Sequence, residues 1–242
     1  MKDKPDAAKA AHYYNGETAL QNAPYYTGEE AKNIARKFDL ALEARYPAVE
    51  CSLAYEGDPW RLLVMARLSA QCTDERVNEV CVELFDVFPD AQAMARGDLA
   101  EIERIVRPCG LFRGKAASIK ASSEIIVERY GGEIPRDMDA MLFLPGVGRK
   151  IANLVLGDVY NLGGIVADTH FMRICSRVGF TPAGTKDPIL TERVMDALIP
   201  RSRQSALCHR AVHFGREVCD ARSPKCDECE LREICAEKLS GR

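Results

Sequence analysis

The sequence predicts an all-α protein. Three observations carry that reading. Apolar residues recur at helical spacing through most of the chain, residues that start and stop helices bracket those stretches, and strand-like alternation is absent apart from the isolated Ile165-Val166-Ala167. No repeat of fixed period and no low-complexity tract is present.

The elements follow in order. Residues 1–26 are polar and carry Tyr13, Tyr14, Tyr25 and Tyr26 without a sustained period, which predicts a loosely ordered arm. Thr27-Gly-Glu-Glu30 has the form of a capping box, and Ile34, Phe38 and Leu42 behind it line one helix face that Pro47 closes. Asp58-Pro59-Trp60 pairs an N-cap residue with proline at the first helical position, and Leu62, Leu63, Met65, Ala66 and Leu68 make the helix it opens a buried one. Further helical patterns cover roughly 74–87, 97–107, 113–130 and 136–143, separated by Phe88-Pro89, Pro108-Cys-Gly110 and Gly131-Gly132.

Composition narrows the class. With 242 residues the chain can form one large core or two smaller ones, and its 47% hydrophobic and 29% charged residues are those of a globular protein. No apolar run approaches the ~20 residues that span a bilayer. The start Met1-Lys-Asp-Lys-Pro-Asp6 has no apolar segment for a secretory signal, so a cytoplasmic location is expected, and the lack of a basic targeting cluster points to a prokaryotic cell. Ten cysteines in a reducing compartment raise metal ligation above disulfides. A net charge of −3 offers no global attraction to nucleic acid, so any DNA contact must come from local patches and backbone amides.

Leu144-Pro-Gly-Val-Gly148 lies between two helical patterns, with Arg149 and Lys150 opening a helix that runs to about Tyr160. This is a helix–hairpin–helix spanning 137–160. Gly146 and Gly148 permit positive φ and a close approach of backbone, and amides at a helix N-terminus bind phosphate through hydrogen bonds and the helix dipole, without regard to sequence. An ordinary helix C-cap and turn is the alternative.

Cys219, Cys226, Cys229 and Cys235 form a C-x6-C-x2-C-x5-C array within residues 219–235. Thiolates in that density suit zinc or an iron–sulphur cluster, and the spacing alone leaves the metal open. The other six cysteines are scattered among apolar neighbours as small buried residues, with one reservation: Cys72 adjoins Gln71, where an exposed thiol would be open to oxidation.

Leu144-Pro-Gly-Val-Gly-Arg-Lys150 followed by Ala167-Asp-Thr-His170 resembles the endonuclease III family of base-excision DNA glycosylases, and the likeness runs from about residue 29 to residue 238. That resemblance implies a helix–hairpin–helix glycosylase fold of two helical domains with a DNA cleft between them: 52–162, holding the hairpin, and 27–51 plus 163–242, holding the cluster loop. It also implies removal of oxidised pyrimidines followed by cleavage at the abasic site, a monomer acting on double-stranded DNA with damaged bases or abasic sites, and a [4Fe–4S] cluster on the four cysteines. Lys150 matches the family's nucleophile and Asp168 its acidic partner. Gln71 matches the glutamine that enters the gap left by the flipped base, and Leu111 the wedge leucine. Leu144, Gly146, Gly148, Arg149 and His170 are the further DNA contacts.

The residue types suit that chemistry. An oxocarbenium-like sugar is stabilised by a nearby carboxylate, and a neutral amine attacks C1′ to give a Schiff base from which the 3′ phosphate leaves by β-elimination. A leucine replaces base stacking by apolar contact, and glutamine offers donor and acceptor to an orphaned base. Helix 149–160 climbs about 18 Å, and residues 161–168 are long enough to retrace it. Arg113, Lys115 and Lys120 are expected as phosphate contacts or solvated charges, His209 and His213 as structural, and Arg222 and Lys225 as cations of the cluster loop.

Three other activities remain open at this stage. Mismatch-adenine removal on the same scaffold normally lacks the hairpin lysine and places a glutamate before the glutamine loop, whereas Leu62 to Ala70 holds no acid. Removal of pyrimidine dimers and non-catalytic damage binding are the others; retention of both Lys150 and Asp168 speaks against the last. Glu230 stands where the family often has proline.

Overall fold

A computed structural model describes residues 25, 26 and 28–239, and every regular element among them is helical. Thr27, and most of the expected arm, lie outside the described residues. The helices are α1 (Gly28–Arg45), α2 (Pro59–Leu68), α3 (Asp74–Val87), α4 (Ala91–Arg96), α5 (Leu99–Val106), α6 (Phe112–Tyr130), α7 (Met138–Phe143), α8 (Arg149–Asp158), α9 (Thr169–Val178), α10 (Pro188–Leu198), α11 (Arg201–Glu217) and α12 (Ala236–Leu239). Residues 165–167 form no strand. Two compact units divide the chain, one from 50 to 164 and one from the residues up to 49 together with 165 onward.

In the 50–164 unit the caps explain where helices begin. Asp58 accepts hydrogen bonds from the amides of Trp60 (2.8 Å) and Arg61 (3.1 Å), as its Asp-Pro-Trp sequence predicts. Thr73 caps α3, and Asp98 caps α5, so the expected helix at 97–107 starts two residues later and continues into a 3-10 turn at Arg107–Cys109. Leu62, Leu63, Met65, Leu84, Met94 and Ile119 fill the core, into which Trp60 also packs while its indole N–H donates to Ser123 Oγ at 3.1 Å. Helix α6 lies against α4 and α5, and α8 lies against α2 and α7.

Beyond α8 the chain doubles back. Leu162 N donates to Leu156 O at 3.0 Å, and two residues on, a Cβ at Gly164 would come within 2.6 Å of Asn153 O. Glycine alone permits that approach, so the return segment runs antiparallel to α8, toward its N-terminus.

The other unit packs Phe38, Phe171, Phe180 and Phe214 into its core, with the rings of Phe38 and Phe180 edge-on at 5.5 Å. Tyr26 is buried there and donates to Ile234 O at 2.8 Å, so the end of the expected loose arm belongs to this core. Helices α1 and α11 are tied by Arg203, which pairs with Asp39 and, at 2.8 Å, with Glu43.

Candidate active site

The hairpin grows from ordinary local rules until its last residue. Asp137 caps α7, and Val147 N donates to Leu144 O at 3.1 Å to close the turn. Leu144 is buried, so it anchors the hairpin to the core and is not exposed to a ligand. Gly146 has φ +78°, and a Cβ there would meet Arg67 Nε at 2.6 Å and Ser118 Cβ at 2.8 Å. The turn therefore sits directly on the end of α2 and the first half of α6, and Ser122 Oγ donates to Pro145 O at 2.7 Å to fasten it. Gly148, in contrast, is open: a Cβ there would meet nothing within 4 Å. It is the N-cap of α8 and provides no side-chain cap, whereas α2, α3, α4, α5, α7, α9 and α10 each receive one from Asp or Thr. The positive end of α8 thus carries no side-chain cap. Lys150 stands exposed on that first turn, beside half-buried Arg149.

Two loops of the same unit carry Gln71 and Leu111, and both residues are left-handed, Gln71 with φ +56° and Leu111 with φ +48°. That conformation costs a residue with Cβ about 1–2 kcal/mol and marks a constrained position. Gln71 is exposed, and Leu111 is 66% exposed although it is a large aliphatic side chain. Lys115 holds the two loops together. Its ammonium is buried and donates to Leu68 O at 2.7 Å, at the end of α2 before the Gln71 loop, and to Cys109 O at 2.9 Å, in the turn before Leu111. Burial pulls the Lys115 amine below its usual range, against the opposing influence of Cys109 and Cys72. The expectation that Lys115 contacts phosphate is therefore corrected: it is a buried clamp. Lys120 is half-buried, bonded to Ala95 O and paired with Glu124 at 3.0 Å. Arg113 is exposed, its guanidinium 5.3 Å from the centre of the Phe112 ring.

Asp168 and His170 belong to the other unit. Asp168 is the N-cap of α9; its Oδ1 accepts from Phe171 N at 2.7 Å, and its Oδ2 lies 3.3 Å from His170 Nδ1. One carboxylate oxygen is thus committed to the helix and the other faces an imidazole. The Asp168 side chain is 14% exposed and that of His170 27%. Gly215, inside α11, makes room for His170: a Cβ there would fall 2.9 Å from both Cβ and the ring Cδ2 of His170. Arg173 fixes the same spot by donating to Gly215 O (2.9 Å) and Cys219 O (3.0 Å).

Cys219, Cys226, Cys229 and Cys235 line one cavity with Arg177, Val218 and Pro224. Their donor set is all sulphur, and Arg177 donates to Cys219 Sγ (3.3 Å), Asp220 O (2.7 Å) and Ala221 O (3.2 Å), placing a fixed cation against a site that would hold an anionic thiolate cluster. Burial pushes the Cys229 thiol up to about 11. These residues fit an iron–sulphur cluster. Glu230 pairs with Arg45 of α1, so the residue that departs from the family pattern secures the loop to its unit. Arg222 and Lys225 are exposed.

Sequence reasoning missed Gly215, Lys115 as a clamp, and Arg177. A lone glycine inside an otherwise helical stretch was a usable signal for the first. The other two depend on contacts 47 and 42 residues away and leave no local mark.

Fold and site together define a helix–hairpin–helix repair glycosylase, and the comparisons agree. The HhH-GPD superfamily of base excision DNA repair proteins matches residues 64–201, and the iron–sulphur binding domain of endonuclease III matches residues 219–235. Endonuclease III of Synechocystis is 45% identical over 205 residues, 84% of this chain and 92% of that protein. Among solved structures, a non-covalent endonuclease III–DNA complex aligns with a TM-score of 0.79, at 35% identity over 87% of this chain and 97% of its own. A trapped covalent endonuclease III–DNA intermediate aligns at 0.80, with 35% identity over 87% and 98%. The chain belongs to the endonuclease III family. Its cofactor is a [4Fe–4S] cluster. Among the described residues no helix is long and apolar enough to cross a membrane.

Proposed function

We propose that this chain is a bifunctional glycosylase and abasic-site lyase that removes oxidised pyrimidines from double-stranded DNA, with Lys150 as nucleophile and Asp168 as the carboxylate that supports it. The observation that carries the reading is Lys150 exposed on the first turn of an uncapped helix, directly after the Gly146–Gly148 hairpin. Amides and dipole there suit a phosphate, which brings the sugar to the lysine. Membership of the endonuclease III family supports both activities.

Base departure builds positive charge on the sugar, and a carboxylate pinned by Phe171 N needs no rearrangement to oppose it. The Lys150 amine bonds to C1′ as the base leaves; ring opening gives the Schiff base, and loss of a C2′ proton expels the 3′ phosphate. Gln71 and Leu111 fill the space of the flipped nucleotide, their side chains held outward by left-handed backbone. His170, against Asp168 Oδ2, and Arg149 contact the DNA. Cys219, Cys226, Cys229 and Cys235 ligate the cluster. When bound, the cluster crosslinks residues 219–235; Arg177 and Arg45 hold that loop from α9 and α1. We place the activity in bacterial cytoplasm, at the nucleoid.

A panel of duplexes tests the reading. Strand cleavage without added alkali on thymine glycol, exceeding that on a pyrimidine dimer or an A·G mismatch, is expected. Preference for either of the others overturns the substrate assignment.

A further inference from the structure

Arg67 stands half-buried in the last turn of α2, against the hairpin. Its Nε donates to Ser118 Oγ at 2.8 Å, and Ser118 Oγ donates to Lys115 O at 2.9 Å, so one edge of the guanidinium is fastened to α6. The same Nε is the atom that a Cβ at Gly146 would strike at 2.6 Å, so the guanidinium lies against the bare side of the hairpin turn. What Arg67 lacks is an anion. Arg61, Arg76 and Arg104 of this unit each pair with a carboxylate, whereas Arg67 pairs with none among the described residues. Its Nη1 and Nη2 have no hydrogen-bond partner there either, and neither is sealed from solvent. A guanidinium fixed through Nε presents those two nitrogens as a preset fork, the geometry that matches two oxygens of one phosphate.

We propose that Arg67 binds a DNA backbone phosphate at the hairpin, adding a fixed charge to the grip of the hairpin's amides. The proposal rests on the hairpin's contact with DNA in the function given above. The chemistry calls for such a cation. Lys150 attacks as a neutral amine and cannot also be the charge that offsets a phosphate, Lys115 is spent on two carbonyls, and a net charge of −3 supplies no general attraction. A guanidinium stays charged at every working pH. Gly146 and Gly148 are two residues apart, at most about 7.6 Å between Cα atoms, so the fork and the first amides of α8 reach one phosphate or two neighbours on a strand. A contact of this kind is blind to base and to damage, and it sets the register of the strand. It is made equally before and during the reaction, so its loss raises KM and spares kcat.

Salt dependence separates a phosphate contact from a packing role. Loss of one phosphate contact makes the slope of log affinity against log salt shallower by about 0.9, a difference of about 3.5-fold in affinity between about 50 and 200 mM salt. The experiment measures duplex binding across that range for the cluster-loaded parent, Arg67→Gln, Arg67→Lys and Arg104→Gln, with melting temperatures and steady-state excision alongside. Arg67→Gln should show the shallower slope on undamaged and damaged duplex alike, with KM raised several-fold and kcat within twofold. Arg67→Lys should keep the slope and lose part of the affinity, because an ammonium keeps the charge without the fork. Arg104→Gln removes the same charge from an arginine already paired with Glu83 and Glu101, and should leave the slope unchanged.

An unchanged slope in Arg67→Gln overturns the proposal; if its melting temperature also falls, Arg67 is only a bracket between α6 and the hairpin. An equal change in Arg104→Gln reveals a general field effect and overturns it too, as does a slope in Arg67→Lys as shallow as in Arg67→Gln. A parent that binds duplex but excises no lesion defeats the catalytic reading while the slopes still decide Arg67. A parent that binds no duplex defeats both.

Discussion

Asp168 serves two purposes that substitution can separate. Its Oδ1 caps α9 through Phe171 N at 2.7 Å, a stabilising contact that needs only an oxygen acceptor, whereas the proposed chemistry needs the negative charge. Asparagine is as good an N-cap as aspartate, so Asp168→Asn should leave the melting temperature nearly unchanged. Asp168→Ala removes the cap, which costs about 1 kcal/mol, or about 2–4 °C in a chain of this length. Base release should fall in both, by about 10² to 10³, the loss typical of one preorganised electrostatic contact and equivalent to about 3–4 kcal/mol. Single-turnover base release on thymine glycol duplex, DNA binding and thermal melting are the three measurements. If the asparagine variant releases base within a factor of two of the parent, the charge is not needed. If it loses stability and binding as alanine does, Asp168 is a helix cap and nothing more.

Three further expectations concern positions around the site. Gly146→Ala places a Cβ 2.6 Å from Arg67 Nε on a residue with φ +78°. It should cost about 1–2 kcal/mol by melting and weaken binding to undamaged and damaged duplex alike; damage-selective weakening would argue against a backbone grip. Lys115→Met leaves Leu68 O and Cys109 O without their donor, an expected loss of about 1–3 kcal/mol, with excision falling more than overall duplex affinity; equal losses would refute the clamp. Arg177→Met removes the cation from Cys219 Sγ and should bleach the cluster several-fold faster under a chelator, whereas a cluster lifetime equal to the parent's contradicts its role.

What the chain displays locally was legible in it. Asp58-Pro59-Trp60 announces a helix because the cap, the fixed φ of proline and the apolar face are adjacent in sequence. The hairpin was legible because Gly146 and Gly148 bracket a turn between two helical periods. Short α4, with six residues, offers too few turns for a period to register, and α5 begins at Leu99, after its cap Asp98, because that carboxylate reaches Ala100 N, a choice between neighbouring caps that spacing alone does not make. Lys115 was misread for a physical reason: a basic residue near a DNA-facing loop resembles a phosphate ligand until tertiary structure supplies two buried carbonyls for it. The cysteine array identified a metal site, but ligand chemistry left zinc and iron open, and the family comparison resolved them.

The central claim is that Lys150 forms the covalent bond to the sugar. Incubation with thymine glycol duplex and borohydride, followed by proteolysis and mass mapping of the stabilised adduct, locates the attacking amine directly. The account predicts the adduct on Lys150 and none from Lys150→Ala. An adduct on any other amine, or one of undiminished yield from Lys150→Ala, contradicts it.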